Sequence, residues 1–120
     1  MENKSLYKKI FEAKKLIGVL TKDTVNPFYK SKYFDINKLI EHVQPILEEK
    51  GLLILQPIRN NEVCTIIYDI ETNESVESSV KLIGGIDPQK LGSEITYYRR
   101  YTLQSLLALQ SEDDDANSAS

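Results

Sequence analysis

The sequence predicts an α+β fold, an antiparallel three-stranded β-meander packed with helices, in which a β-β-β-α unit follows two helices. Three features carry this. Apolar residues recur at three- and four-residue spacing in two segments before Gly51, three runs rich in β-branched and large apolar residues come next, and Asp87-Pro88 opens a long helical stretch. The 120 residues, 41% of them apolar, suit one hydrophobic core. The prediction is therefore a single domain over residues 1–111 and a flexible acidic tail over 112–120.

From Leu6 to Leu20 the apolar positions Leu6, Ile10, Phe11, Ala13, Leu16, Ile17 and Leu20 keep helical spacing, with lysines mostly between them. Asn26 to Phe34 is aromatic and extended or loop-like, because Pro27 disfavours helical geometry at Asn26. Asp35 is a suitable N-cap for a second helix carrying Ile36, Leu39, Ile40, Val43, Ile46 and Leu47, and Gly51 ends it. Pro45 within that pattern predicts a kink or break near Gln44. Strands are expected at Leu52 to Ile58, Val63 to Ile70 and Ser75 to Ile83, joined by short polar connectors that favour hairpins. In the third strand Val76, Ser78, Val80 and Leu82 alternate with Glu77, Ser79 and Lys81, which predicts one covered and one wetter face. Asp87 then caps a helix with Pro88 at its first position, running to about Leu109.

Charge excludes a protein that binds nucleic acid by being basic throughout, since the net charge is −3. The distribution is uneven: residues 1–60 hold eleven basic and seven acidic side chains, residues 61–120 four and eleven. Glu112-Asp113-Asp114-Asp115 concentrates the acidity, so any nucleic-acid contact must use a local patch on the body. A lone cysteine, Cys64, forms no internal disulfide and reads as a small core residue, and a lone histidine, His42, founds no zinc cluster and reads as a surface residue. Gly84-Gly85 lacks the lysine of a phosphate-binding loop. Neither a signal peptide nor a membrane span is indicated, and the expected location is cytoplasmic, in a reducing compartment. No cofactor and no metal is expected.

On a helical wheel the last helix gathers Leu91, Ile95, Tyr98, Thr102, Leu103, Leu106 and Leu109 on a face that should pack on the sheet. Lys90, Ser93, Tyr97, Arg100, Tyr101 and Gln104 form the opposite stripe. Cations that track phosphates, interleaved with rings on which bases stack, are the parts needed to hold a single strand without reading it. A solvated surface is the plainer reading of the same stripe. Arg99 falls on the apolar side, as a paired packed arginine or the lining of a groove at the sheet's margin. Lys30, Lys32 and Tyr33 repeat the mixture of lysines and rings, with Phe28 and Phe34 as core and solvated lysines as the alternative.

Successive motifs, Asn26-Pro27-Phe28-Tyr29-Lys30-Ser31-Lys32-Tyr33, Val43 to Leu47 leading to Gly51-Leu52 and Gln56, Asp87 to Ser93, Ile95-Thr96-Tyr97, Arg99-Arg100-Tyr101 and Glu112 to Asp115, resemble in order and spacing those of the ERF family. These are the essential-recombination-function, single-strand annealing proteins of bacteriophages and prophages, and the resemblance runs over roughly residues 5 to 117. Tyr98 departs from it, standing where a small residue is frequent, and Ala116 stands where glycine is usual. The resemblance implies a non-enzymatic, cytoplasmic protein of the bacterial host cell that binds single-stranded DNA, forms a homo-oligomeric ring or helical filament, and pairs complementary strands without ATP. It implies a fold similar to that of the eukaryotic strand-annealing recombinase, with a DNA-holding groove between strands and helix. Candidate DNA-binding residues are then Lys30, Lys32, Tyr33, Lys90, Tyr97, Arg99, Arg100 and Tyr101. Protein partners it allows are a phage exonuclease or a host single-strand-binding protein. Two rivals are an oligomeric interaction module of a phage replication or recombination complex that binds DNA only weakly, and a metal-dependent nuclease using Glu112 to Asp115.

Overall fold

The computed structural model describes residues 5–21, 35–84 and 87–111. Their order is α1 (Leu6–Ile17), α2 (Ile36–Glu49), β1 (Leu52–Leu55), β2 (Ile58–Arg59), β3 (Glu62–Asp69), β4 (Ser75–Lys81) and α3 (Pro88–Leu106). Each helix starts where its sequence offers a side-chain acceptor for an orphan amide: Ser5 for Lys8, Asp35 for Asn37 and Asp87 for Lys90, at 3.2, 2.7 and 2.9 Å. Gly51 follows α2 in the left-handed region, φ 77°, where a side chain would be strained.

The sheet is antiparallel throughout. β1 and β2 lie in one register along the same side of β3, Leu55 opposite Ile66 and Ile58 opposite Val63, so they are two pieces of the strand expected from Leu52 to Ile58. Pro57 causes the interruption. It has no N–H to donate, although its carbonyl still accepts from the Cys64 amide at 3.0 Å. The connector to β3 turns on Asn60 and Asn61, both left-handed at φ 52° and 61°, the backbone of a two-residue hairpin whose twist matches its strands. β4 pairs with the other side of β3, and its turn uses a left-handed Asn73 whose amide donates to the Asp69 carbonyl at 2.8 Å.

Strand alternation sends Leu52, Ile54, Thr65, Ile67, Val76 and Ser78 to the helix-covered face. There Leu52 and Ile67 join Leu6, Ala13, Ile17, Leu39, Val43, Leu47, Leu103 and Leu107 in one core. In β4 Val76, Ser78 and Val80 are half-buried and their neighbours exposed, as the alternation predicts. α1 packs on α2, α2 on β1 and α3, and α3 on β3 and β4. Among the described residues no helix is long and apolar enough to cross a membrane.

Four expectations need correction. The break allowed for near Gln44 does not occur: α2 is one helix through Pro45, which is exposed, so the hydrogen bond it cannot make is lost on the watery side while Leu39, Val43 and Leu47 hold the inner stripe. In α1, Phe11 and Leu16 are exposed rather than core. Their place inside is taken by Lys9, whose Nζ donates to Asp69 Oδ2 at 2.9 Å and to Glu71 Oε1 at 3.3 Å. α3 ends at Leu106, three positions short of Leu109. His42 is half-buried rather than superficial, its Nε2 3.3 Å from the Ile17 carbonyl.

Candidate nucleic-acid interface

The break at Gln56-Pro57 has a second consequence. Freed from the ladder, Gln56 crosses to α3: its Nε2 donates to the Arg99 carbonyl at 2.9 Å and to Thr65 Oγ1 at 3.0 Å, while its Oε1 accepts from Arg99 Nε at 2.8 Å. The line continues inward. Thr65 and Thr102 share a buried hydroxyl contact of 2.6 Å, and Thr102 Oγ1 donates to the Tyr98 carbonyl at 2.7 Å. Because Thr102 has one hydroxyl proton and gives it to Tyr98, Thr65 must be the donor between the two threonines. Ser78 Oγ closes the seam on the Thr102 carbonyl at 2.7 Å. Each polar group in this chain finds a partner, so the seam fixes the rotation of α3 on the sheet rather than weakening the core.

Arg99 is thereby held at its Nε and its carbonyl. Its Nη groups make no hydrogen bond or ion pair with a described residue, and its side chain lines a cleft of about 480 Å³ between the start of α2 and the middle of α3. Asp35, Asn37, Ser93, Thr96, Tyr97 and Arg100 share that lining. A fork of guanidinium donors beside serine and threonine hydroxyls suits a phosphate or sugar oxygen. The Asp35 carboxylate, turned to its own helix's amide, sets the other edge of the cleft.

Arg100 departs from the helical wheel. It is buried, 7% exposed, not on the solvent stripe. Its guanidinium lies over both Tyr97 and Tyr101, 5.3 and 5.2 Å from the ring centroids, and the two rings meet edge to face at 4.4 Å with their hydroxyls 2.6 Å apart. The signal was Leu107, which is fully buried: Arg100, Leu103 and Leu107 stand at i, i+3 and i+7, so the apolar arc of α3 is wider than the sheet contact alone requires and reaches Arg100 on the α2 side. Arg99, expected on the packed side, is half-buried and opens to the cleft, the groove-lining alternative of its two readings.

Tyr97 and Tyr101 keep 44% and 37% of their surface exposed, and Lys90 lies about two turns ahead of Tyr97 in a shallow hollow that Ser93, Glu94, Tyr97 and Tyr98 also line. The structure thus brings Lys90, Tyr97, Arg99, Arg100 and Tyr101 together on one stretch of α3. Lys30, Lys32 and Tyr33 lie outside the described residues. If the exposed ring surfaces stack bases, at about 1 to 3 kcal/mol each, Tyr97→Leu and Tyr101→Leu will each weaken single-strand binding by roughly five- to a hundred-fold. Fluorescence anisotropy with labelled oligonucleotides measures this, and parental affinity in both variants would leave the phenols as mere cover for Arg100.

Among the described residues no group of His, Cys, Asp and Glu side chains could hold a metal ion. Glu112 to Asp115, on which the nuclease rival depends, lie outside them. No curated protein and no solved structure matches the chain. A family model described as the ERF superfamily matches residues 6–120. Since that span takes in every helix and strand described above, the chain belongs to the ERF superfamily.

Proposed function

We propose that the chain binds single-stranded DNA along α3 and, as a homo-oligomer, anneals complementary strands without ATP or enzymatic turnover. The observation that carries this reading is Arg99, fixed by Gln56 at its Nε and lining a cleft whose wall includes Tyr97, the ring that also borders the hollow holding Lys90. Family membership supports the same reading. Annealing needs neutralised backbones and displayed bases. Arginine and lysine supply the first, and a repeated array of subunits holding the strand extended supplies the second, lowering the entropy lost in finding register. Sequence discrimination then comes from Watson-Crick pairing, so base-specific contacts are unnecessary.

The test is an ATP-free annealing assay with complementary oligonucleotides, run beside light scattering. Accelerated pairing by a particle of many subunits is expected. A folded protein that neither binds single strands nor speeds pairing, but captures another recombination protein, would favour the interaction-module reading. Magnesium-dependent degradation of the labelled strand would favour the nuclease.

The acidic segment enters here as a restraint on DNA. Ser111 is anchored by a parallel bridge to Leu20, and the Leu20 amide donates to the Gln110 carbonyl at 2.8 Å, so the residue that precedes the acidic segment is fixed beside the end of α1. Four carboxylates attached there repel phosphate or compete with it for cations. Removing residues 112–120 will leave single-strand affinity equal or higher at low salt. A truncated protein that stays folded and assembled yet stops binding DNA would make the segment a working part of the site.

A further inference from the structure

Outside α3, the largest exposed rings of the described residues are on α1. Tyr7 is 72% exposed and Phe11 60%, one turn apart on the side of the helix away from the core. Lys8 and Lys15 are exposed beside them, and the Lys15 ammonium sits 4.4 Å from the centroid of the Phe11 ring. Neither lysine forms an ion pair with a described residue, whereas Lys9, on the inward side, is fully engaged with Asp69 and Glu71.

We infer that this face of α1 is a second single-strand site, which holds a strand other than the one on α3. The inference rests on the function proposed above. Two arguments select a nucleic acid as the occupant. The first is charge: two cations that form no ion pair with a described residue flank two rings, with Glu12 the one carboxylate of α1 near them, whereas the buried centre of a protein-protein interface is depleted in lysine. The second is spacing. Side chains at i and i+4 lie about 5 to 6 Å apart at Cβ, wider than the 3.4 Å rise of a stacked duplex strand. Bases resting on Tyr7 and Phe11 would therefore be separated from one another, as a single strand allows and a stacked duplex does not. Lys15 already uses a cation-π contact with Phe11, so a phosphate can engage its ammonium while a base takes ring surface that the lysine leaves open. α1 packs on α2, and α2 in turn on α3.

The test uses the full chain and two non-complementary oligothymidine and oligocytidine strands carrying donor and acceptor dyes. The parent should bind both on one particle, read as energy transfer, in two stages of affinity. In the variant Tyr7→Ser/Phe11→Ser/Lys8→Gln/Lys15→Gln, the tight stage should stay within twofold of the parent, and the second stage and the energy transfer should fall at least tenfold. Particle mass by light scattering and the melting curve should be unchanged. Retention of the second stage in that variant overturns the inference. So does a fall in particle mass, which would make the face a contact between copies. A parent that binds one strand and never a second overturns this inference alone, while a parent that binds none overturns the function proposed for α3 as well.

Discussion

Asp69→Asn will lower the melting temperature by about 10 °C or more. Asp69 is fully buried at the end of β3 and holds three things at once. Its Oδ2 accepts from the Lys9 ammonium at 2.9 Å, its Oδ1 accepts from the Glu71 amide at 3.0 Å, and its main chain closes the β3–β4 turn. Asparagine keeps the volume but leaves the buried ammonium of Lys9 with the more exposed Glu71 as its one counter-charge among the described residues. Removing one partner of a buried pair is costly because the remaining charge stays desolvated. Lys9→Met should do less harm, since Asp69 keeps its backbone donors. A Lys9→Met/Asp69→Asn double variant should recover part of the loss, because no unpaired charge is then left inside. Equal melting temperatures for the parent and Asp69→Asn would show that the pair is idle.

The same pair sets the pH limits of stability. The hydrogen bond from Lys9, aided by backbone amides of Glu71 and Thr72, holds the Asp69 carboxyl below its ordinary range against the opposing effect of burial. A depressed carboxyl stabilises the fold fully above its unfolded pKa of about 3.9. That contribution is lost as pH falls through the folded value. Lys9 is displaced upward, chiefly by its bond to Asp69, so its contribution is full below about 10.4 and lost as pH rises through its folded pKa. Melting curves should therefore show a plateau from about pH 5 to 10 from this pair. In Asp69→Asn the acid-side decline should become shallower.

The elements of the fold were legible in the sequence because local signals agreed with one another. Asp35 and Gly51 bracket α2, Asp87-Pro88 opens α3, and Asn60-Asn61 falls between two β-branched runs. The polar interior was not legible. Lys9 occupies a helical position that looks solvated until Asp69, sixty residues later, is brought beneath it. Gln56, Thr65 and Thr102 are ordinary strand and helix residues individually, and only the tertiary pairing of β3 with α3 makes them a hydrogen-bonded line. The error over the arginines has a similar origin. A wheel centred on the sheet-facing stripe omits the contact with α2, and that second contact turns the inner arc of α3 toward Arg100.

That reversal separates the adjacent arginines by experiment. Arg99→Ala should weaken binding to every single-stranded sequence alike by about ten- to a hundred-fold, the loss of one charge-assisted contact. It should also flatten the slope of log K against log salt by roughly 0.7. The fold should survive, because the bond from Gln56 to the Arg99 carbonyl involves the main chain and Gln56, which is only half-buried, can take water as the donor to its Oε1. Gln56→Leu should leave the salt slope unchanged, since the charge is still present, but reduce affinity several-fold because the guanidinium is no longer held at its Nε. Arg100→Ala should do the opposite: a hole beneath Tyr97 and Tyr101 and the loss of two cation-π contacts should lower the melting temperature. Its effect on affinity should follow the displacement of the two rings, with little change in salt slope. Anisotropy titrations across salt, set beside melting curves for the three variants, read each quantity separately. An Arg100→Ala protein that melts with the parent yet loses a phosphate contact would return that arginine to the outer stripe and remove Arg99 from the centre of the site.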